Sequence, residues 1–136
     1  MRLVIDANII FAALIKEGMT AELILREDIQ LFSPEFLLDE IKKYRNLIIE
    51  KTHRSVQEFE RFLTIISENI IIIPKEQITP FFERSEKISP DPKDTVYLAL
   101  AMALKSFIWS NDKKLKEEQD KILVLSTSDL IEKLNL

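Results

Sequence analysis

Residues 3–8 read LVIDAN, a short run of branched apolar residues that ends directly in an acid. Apolar runs without polar alternation are typical of strands that are buried on both faces of a parallel sheet. Similar runs follow along the chain, and segments with helical spacing separate them. They lie at residues 70–73, 107–109 and 122–125, with a weaker one at 29–32. This order predicts an α/β fold, a three-layer α/β/α sandwich with a mostly parallel central sheet of about five strands.

The composition leaves few kinds of chemistry open. The 136 residues include no Cys, one His and one Gly. These counts exclude disulfides, cysteine nucleophiles, thiolate or histidine-rich metal sites and Gly-rich phosphate loops. Asp and Glu number 23 against 19 Lys and Arg, so the formal net charge is −4. Any catalysis by this chain therefore depends largely on carboxylates.

Length and hydropathy predict one domain over residues 1–136, located in the cytoplasm. A chain of this length is typical of a single domain. The first residues lack the basic region and the cleavage site of a signal peptide. No apolar run approaches the roughly 20 residues that cross a bilayer, so we expect no membrane partner.

Local capping signals predict where four helices begin. Each signal is a Ser, Thr or Asp at the N-cap position. In two cases a Pro follows at the first helical position, and in one case the N-cap residue is part of a capping box. The predicted starts are Ser33-Pro34, Ser55, Asp91-Pro92 and Ser126 or Thr127. The helix after Asp91-Pro92 is apolar almost all round, which predicts a central helix packed closely on the sheet.

Two acids follow predicted strands directly. Asp6 ends the first strand, and Asp112 follows residues 107–109 after Ser110 and an Asn. In parallel α/β sheets, ligand-binding groups collect beyond the carboxyl ends of the strands. Asp6 and Asp112 are therefore expected to lie in the same crevice.

Two further acids are candidates for that crevice. An ordinary structural explanation is open to each of the acids, and it is weakest for Asp6. Asp94 falls in the first turn of the central helix, where the helix dipole alone favours an anion. Glu40 lies beside the apolar stripe of its helix, with Asp39 as its competitor, and a solvated surface acid is the alternative. Asp112 fits an N-cap equally well. Asp6 ends a buried strand, so it loses hydration and needs a partner.

Converging acids repel one another unless a cation lies between them. Oxygen ligands without thiols or histidines favour Mg²⁺ or Mn²⁺ as that cation. The sequence therefore makes a hard divalent cation the expected partner of these acids.

Segments in register along the whole chain resemble the PIN-domain nucleases. They lie at residues 4–8, 33–34, 39–41, 91–94, 98–101 and 110–115. Carried over position by position, the resemblance implies that Asp6, Glu40, Asp94 and Asp112 are the catalytic residues. It also implies that these four acids are the ligands of one or two Mg²⁺ or Mn²⁺ ions. It implies Asn8 and Ser110 as polar supports of the site. Asp91 stays ambiguous, since an N-cap role explains it.

The resemblance implies a metal-dependent ribonuclease, an endonuclease acting on RNA, with the toxin of a VapC-like toxin–antitoxin pair as one role. It also implies an antitoxin partner and a homodimer. The net charge of −4 opposes binding to a polyanion, but cations flank two of the acids. Lys42, Lys43, Arg45 and Lys113 are candidates for contacts with phosphates. Solvated, salt-bridging helix surfaces are the alternative for each of them.

Two other functions compete with the nuclease. The first is a PIN-like scaffold that binds RNA or protein without cutting. The second is a receiver-like phospho-acceptor domain, which needs paired acids after the first strand, where this chain has Asp6 alone. Aromatic residues at helical spacing, including Tyr44, Phe59 and Phe82, are expected to pack in the core or at an interface rather than stack on bases.

Overall fold

A computed structural model of the chain describes residues 1–16 and 18–136. Its central sheet has the strand order β3-β2-β1-β4-β5, and each neighbouring pair is parallel. The strands are β1 Arg2–Ile5, β2 Gln30–Pro34, β3 Ile70–Ile73, β4 Phe107–Trp109 and β5 Val124–Leu125. The predicted parallel α/β architecture is confirmed.

Helices connect the strands. They are α1 Ala7–Ile15, α2 Met19–Ile24, α3 Phe36–Thr52, α4 Val56–Ser67, α5 Lys75–Ile78, α6 Phe82–Ile88, α7 Thr95–Leu104, α8 Lys113–Glu117 and α9 Thr127–Lys133, with 3₁₀ turns at Thr79–Phe81 and Pro92–Asp94. From β1 to β3 the chain moves across the sheet in one direction, and from β3 to β5 in the other. Right-handed crossovers therefore place α1–α4 and α5–α8 on opposite faces.

The direction of winding reverses between β1 and β4, which are neighbours in the sheet. At such a switch point the loops beyond the strands diverge and leave a crevice. Asp6 N–H donates to the carbonyl of Trp109 at 3.1 Å, so the loops after β1 and β4 start side by side. The fold thus brings two regions about 100 residues apart to one edge of the sheet.

Helix α7 is the central helix that its composition predicts. It packs against β1, β2 and β4, and Leu98, Ala99, Leu100 and Ala101 are fully buried. Small Ala side chains allow the helix to approach the sheet closely. Among the described residues, no helix is both long and apolar enough to cross a membrane.

The strand at 122–125 is shorter than predicted. Its first residue is held by a side chain instead of the sheet, since Ile122 N–H donates to Gln119 Oε1 at 2.9 Å and Ile122 carbonyl accepts from Gln119 Nε2 at 2.8 Å. Pairing in β5 therefore begins only at Val124.

The predicted helix start at Ser33-Pro34 is wrong. Both residues belong to β2, where Ser33 pairs with Ile72 and Pro34 with Ile73, and α3 begins at Phe36. Strand pairing overrides the local capping signal here. The starts after Ser55 and Ser126 are confirmed, because each side chain accepts a hydrogen bond from the first turn of its helix.

The signal at Asp91-Pro92 opens a 3₁₀ turn rather than α7 itself. Asp91 accepts a hydrogen bond from Lys93 N–H at 2.9 Å and caps the turn Pro92–Asp94. Helix α7 starts at Thr95, so Asp94 stands at its N-cap position instead of inside its first turn.

Candidate metal centre

A cleft of about 280 Å³ opens at the carboxyl edge of β1 and β4. All four acids proposed from the resemblance line it, together with Asn8. The remaining lining residues are Ala7, Phe11, Phe36, Tyr44, Lys93 and Tyr97. Residues from the loop after β1, from α3, from α7 and its preceding turn, and from the loop after β4 therefore converge on one space.

Asp6 is held from two sides. Its Oδ2 accepts from Ser110 Oγ at 2.7 Å, and its Oδ1 accepts from Asn8 N–H at 3.3 Å as the N-cap of α1. Burial raises the pKa of Asp6, the hydrogen bonds from Ser110 and Asn8 oppose this, and the charge of Asp112 adds to it. The carboxylate is thus oriented but not neutralised.

Asp112 caps α8 and also lines the cleft. Its Oδ1 accepts from the N–H groups of Lys114 and Leu115 at 2.9 and 3.3 Å. Its own N–H donates to Ser110 Oγ at 3.1 Å. Ser110, which is 1% exposed, therefore accepts from Asp112 and donates to Asp6. The cap role and the cleft role, alternatives from the sequence, coexist in this residue.

Asp94 has little local support. It is 8% exposed, and its Oδ2 is buried without a hydrogen-bond partner among the described residues. Burial raises the pKa of Asp94 to about 6, and the charges of Asp112 and Asp6 contribute further. A buried carboxylate oxygen without a donor beside two other carboxylates suits a bound cation.

The other predicted residues differ in what the structure places around them. Glu40 is half-buried on α3 and borders the cleft. Asn8 borders it as an exposed residue, and its backbone rather than its side chain bonds to Asp6. Asp91 does not line the cleft, although its charge helps to raise the pKa of Asp94.

As they are placed, no three acidic or histidine side chains within residues 1–16 and 18–136 are close enough to enclose one ion. Bare carboxylates repel, so they are expected to stay apart until a cation joins them. The donor set itself fits Mg²⁺ or Mn²⁺, since it consists of oxygens and includes the unpaired Asp94 Oδ2.

None of the four cations predicted to contact substrate lines the cleft. Arg45 pairs with Glu60 on α4 and Lys43 Nζ lies 5.2 Å from the ring centroid of Tyr44, while Lys42 and Lys113 are exposed. The cation at the cleft is Lys93. The phosphate contacts of the four therefore stay a prediction.

Sequence reasoning missed Tyr97 and Lys93. Tyr97 is 4% exposed and reads as another core aromatic of α7. Tyr97 follows Asp94 by three residues, and residues three apart share a helix face. This spacing was the available signal that Tyr97 lies on the same side of the helix as Asp94. Phe59 is buried as predicted, whereas Tyr44 lines the cleft, with its ring edge-on to Phe11 at 5.5 Å.

Comparisons with known proteins place the chain in a wider context. A family model described as PIN domain matches residues 4–125. The structure of VapBC2 from Rickettsia felis bound to a DNA fragment from its promoter contains a chain with a similar fold, with a TM-score of 0.68 and 15% sequence identity. The similarity covers 93% of this chain and 98% of that one. No protein of curated function matches this chain.

Proposed function

Because this chain belongs to the PIN-domain family, we propose that it is a cytoplasmic ribonuclease that hydrolyses RNA phosphodiester bonds with one or two Mg²⁺ or Mn²⁺ ions. The whole of residues 1–136 forms the nuclease domain in this proposal. Endonucleolytic cleavage is part of the proposal, as the resemblance to the PIN-domain nucleases implies.

One observation carries the proposal: four carboxylates from four separate segments line one cleft, and Asp94 among them has a buried oxygen that bonds to none of the described residues. Burying unpaired carboxylates next to one another costs free energy. A fold gains nothing from that arrangement unless the cleft binds a cation. Asp6, Glu40, Asp94 and Asp112 are the proposed ligands.

The protein's own residues orient these ligands. Ser110 Oγ holds Asp6, and the backbone N–H of Asp112 fixes Ser110 in turn. The first turn of α8 holds Oδ1 of Asp112. Such supporting hydrogen bonds fix carboxylate geometry around a metal. When bound, the divalent ion would supply an activated water and stabilise the charge that develops on the phosphodiester.

Lys93 is the first candidate for contact with RNA. It lies next to Asp94 in sequence and lines the cleft, so its ammonium group can offset the negative charge that the substrate brings. Lys42, Lys43, Arg45 and Lys113 lie farther out and are proposed to contact flanking phosphates.

The proposal includes a protein partner. A second cleft of about 600 Å³ shares Phe36 and Lys93 with the acidic cleft, and Phe36 and Phe82 in its lining are 39% and 37% exposed. Exposed aromatic residues beside an active site fit a peptide that binds there and blocks it. We assign this role to an antitoxin and regard the chain as a toxin, by analogy with the VapBC2 complex. A homodimer is part of the proposal because the resemblance to the family implies it. A small co-transcribed DNA-binding protein encoded next to this chain would support the assignment, and the absence of such a gene would oppose it.

The decisive experiment is cleavage of an RNA panel by purified, partner-free protein. We expect cleavage with Mg²⁺ or Mn²⁺, none with EDTA, and a loss of at least 100-fold in Asp6→Asn and Asp94→Asn, because each removes a ligand charge. Asp39→Asn, next to Glu40 but outside the acidic cleft, is the matched control and should retain activity. Equal cleavage by wild type, Asp6→Asn and Asp94→Asn contradicts the proposal.

A non-catalytic PIN-like scaffold for RNA or protein is the second candidate, and the exposed Phe36 and Phe82 of the second cleft favour it. Titration calorimetry separates the two. A nuclease binds Mn²⁺ through its acids and loses binding in Asp94→Asn, whereas a scaffold binds a partner without needing the cation.

A further inference from the structure

Tyr97 combines deep burial with an unpaired hydroxyl. Its side chain is 4% exposed, and Oη makes no hydrogen bond of standard geometry with any described residue. The backbone N–H of Ala7 approaches Oη as a donor, which leaves the O–H group without an acceptor. Buried hydroxyls without partners are uncommon, because each costs the free energy of its lost hydration.

The groups around this hydroxyl are anions. Among charged residues, Asp6 acts most strongly on Tyr97, followed by Glu40 and Asp94. Burial, with these charges, raises the pKa of Tyr97 above its ordinary value. A tyrosine hydroxyl is protonated at neutral pH even without this shift, so toward the carboxylates it can act only as a donor.

Asp6 has capacity for another donor. Ser110 Oγ and Asn8 N–H occupy one site on each of its oxygens, the second at a long 3.3 Å, and the backbone N–H of Ala7 acts on the carboxylate more weakly. A carboxylate offers about four lone-pair sites. Ser110 approaches from the loop after β4 and Asn8 from α1, while Tyr97 belongs to α7, so a third element is available to fix the carboxylate.

We propose that Tyr97 is a positioning residue whose hydroxyl donates a hydrogen bond to the Asp6 carboxylate when the acids close on a divalent cation. This inference rests on the proposed function. The repelling carboxylates of the metal-free cleft leave the hydroxyl unpaired, and drawing them toward a common cation supplies its acceptor. Tyr97 then holds Asp6 in the orientation that binds the metal.

Burial separates this role from contact with RNA. Oη has almost no surface open to solvent, so a phosphate that enters the cleft cannot reach it. Loss of the hydroxyl should therefore weaken metal binding and slow turnover while RNA binding stays the same. A purely structural hydroxyl would instead affect the stability of the metal-free protein.

The test compares Tyr97→Phe with wild type and with Tyr44→Phe. Tyr44→Phe removes a phenol hydroxyl from the same cleft, but from a half-buried side chain. For Tyr97→Phe we expect roughly 10- to 100-fold weaker Mn²⁺ binding in calorimetry and a similar fall in kcat, as for other residues that orient metal ligands. Its KM for RNA should stay within about twofold, and its metal-free Tm should be unchanged or higher. Tyr44→Phe should match wild type in Mn²⁺ affinity.

Each outcome has a distinct meaning. If wild type binds Mn²⁺ and Tyr97→Phe binds it equally well, the inference is overturned while the proposed function stands. The same holds if Tyr97→Phe lowers only the metal-free Tm. If wild type binds no Mn²⁺, both proposals fail together. If wild type binds Mn²⁺ without cutting RNA, the nuclease proposal fails and the Mn²⁺ affinities still test Tyr97.

Discussion

At the scale of single residues, Asp94 shows how this cleft opposes the stability of the fold. Its carboxylate has a buried oxygen that receives no hydrogen bond from residues 1–16 or 18–136, and the neighbouring Asp6 and Asp112 carry the same charge. The raised pKa of about 6 means that the folded protein binds a proton here more tightly than the unfolded chain, whose Asp has a pKa near 3.8. Linkage then makes metal-free stability fall as the pH rises from about 4 to 7.

Asp94→Asn is therefore expected to stabilise the metal-free protein at pH 7. A shift of about 2 pKa units corresponds to roughly 3 kcal/mol at most, and solvent screening reduces this to roughly 1–2 kcal/mol. Urea unfolding of wild type and Asp94→Asn in EDTA at pH 4 and pH 7 measures this difference in the free energy of unfolding, with Asp39→Asn as the control. A less stable Asp94→Asn at pH 7 would mean that the carboxylate has a stabilising partner.

At the scale of elements, the short helix α8 couples a fold contact to the site. Asp112 accepts from two N–H groups of α8 through Oδ1 and also borders the cleft. Ser110 links the same loop to Asp6 at the end of β1. The cap thus fixes the distance between the ends of β1 and β4, where the two strand-end acids lie.

Two substitutions at Asp112 separate its role as the N-cap of α8 from its role as a negative charge in the cleft. Asn keeps an oxygen for capping, whereas Ala loses both functions, so Asp112→Ala should be about 1 kcal/mol less stable than Asp112→Asn. Both should lose Mn²⁺ binding to a similar degree, because both lack the carboxylate. Thermal unfolding and calorimetry on the pair give the two readouts. Equal stabilities would exclude a capping role, and retained Mn²⁺ binding in Asp112→Asn would exclude Asp112 as a ligand.

At the scale of the whole molecule, the cleft lies where the direction of the sheet reverses, between β1 and β4. The loops there are positioned by the central strands, whose Val4, Ile5, Ile108 and Trp109 are fully buried. A cation in the cleft would join residues of the loop after β1, of α3, of the turn before α7 and of the loop after β4. Metal binding should therefore stabilise the folded state as a unit.

We expect Mn²⁺ at 100 times its dissociation constant to raise stability by about 2.7 kcal/mol, which corresponds to roughly 8 °C in Tm for a chain of this size. Scanning calorimetry with Mn²⁺ and with EDTA measures the difference. Asp6→Asn should show little of this increase. An equal increase in both proteins would place the bound cation elsewhere.

Local sequence predicted the parts of this fold that local physics controls. Buried parallel strands need unbroken apolar runs, so residues 3–5, 70–73 and 107–109 were identifiable. The caps at Ser55 and Ser126 involve only neighbouring residues. Ser33-Pro34 misled the prediction because pairing with β3 lies almost 40 residues away in sequence.

The acids were the predictable part of the candidate site. The residues that hold the acids in place, and the cation beside them, were harder to predict. Asp6 and Asp112 were identified because strand ends in a parallel sheet share an edge, and Glu40 and Asp94 gained weight from the resemblance. The bond from Ser110 to Asp6 spans 104 residues. Lys93 replaces the predicted cations at the cleft because helix orientation, which a linear sequence does not express, decides which Lys side chains reach it.

The sequence by itself determined an α/β chain of the PIN-domain family with carboxylate chemistry, because residue types, strand runs and the order of acids are properties of the linear chain. Only the tertiary structure decided that the four acids share one cleft and that Lys93 lies beside them. It also decided that Asp94 Oδ2 and Tyr97 Oη are buried without a standard hydrogen bond to any described residue. Burial and distance arise when segments far apart in sequence pack together, and these two quantities set charge repulsion, pKa and unmet hydrogen bonds.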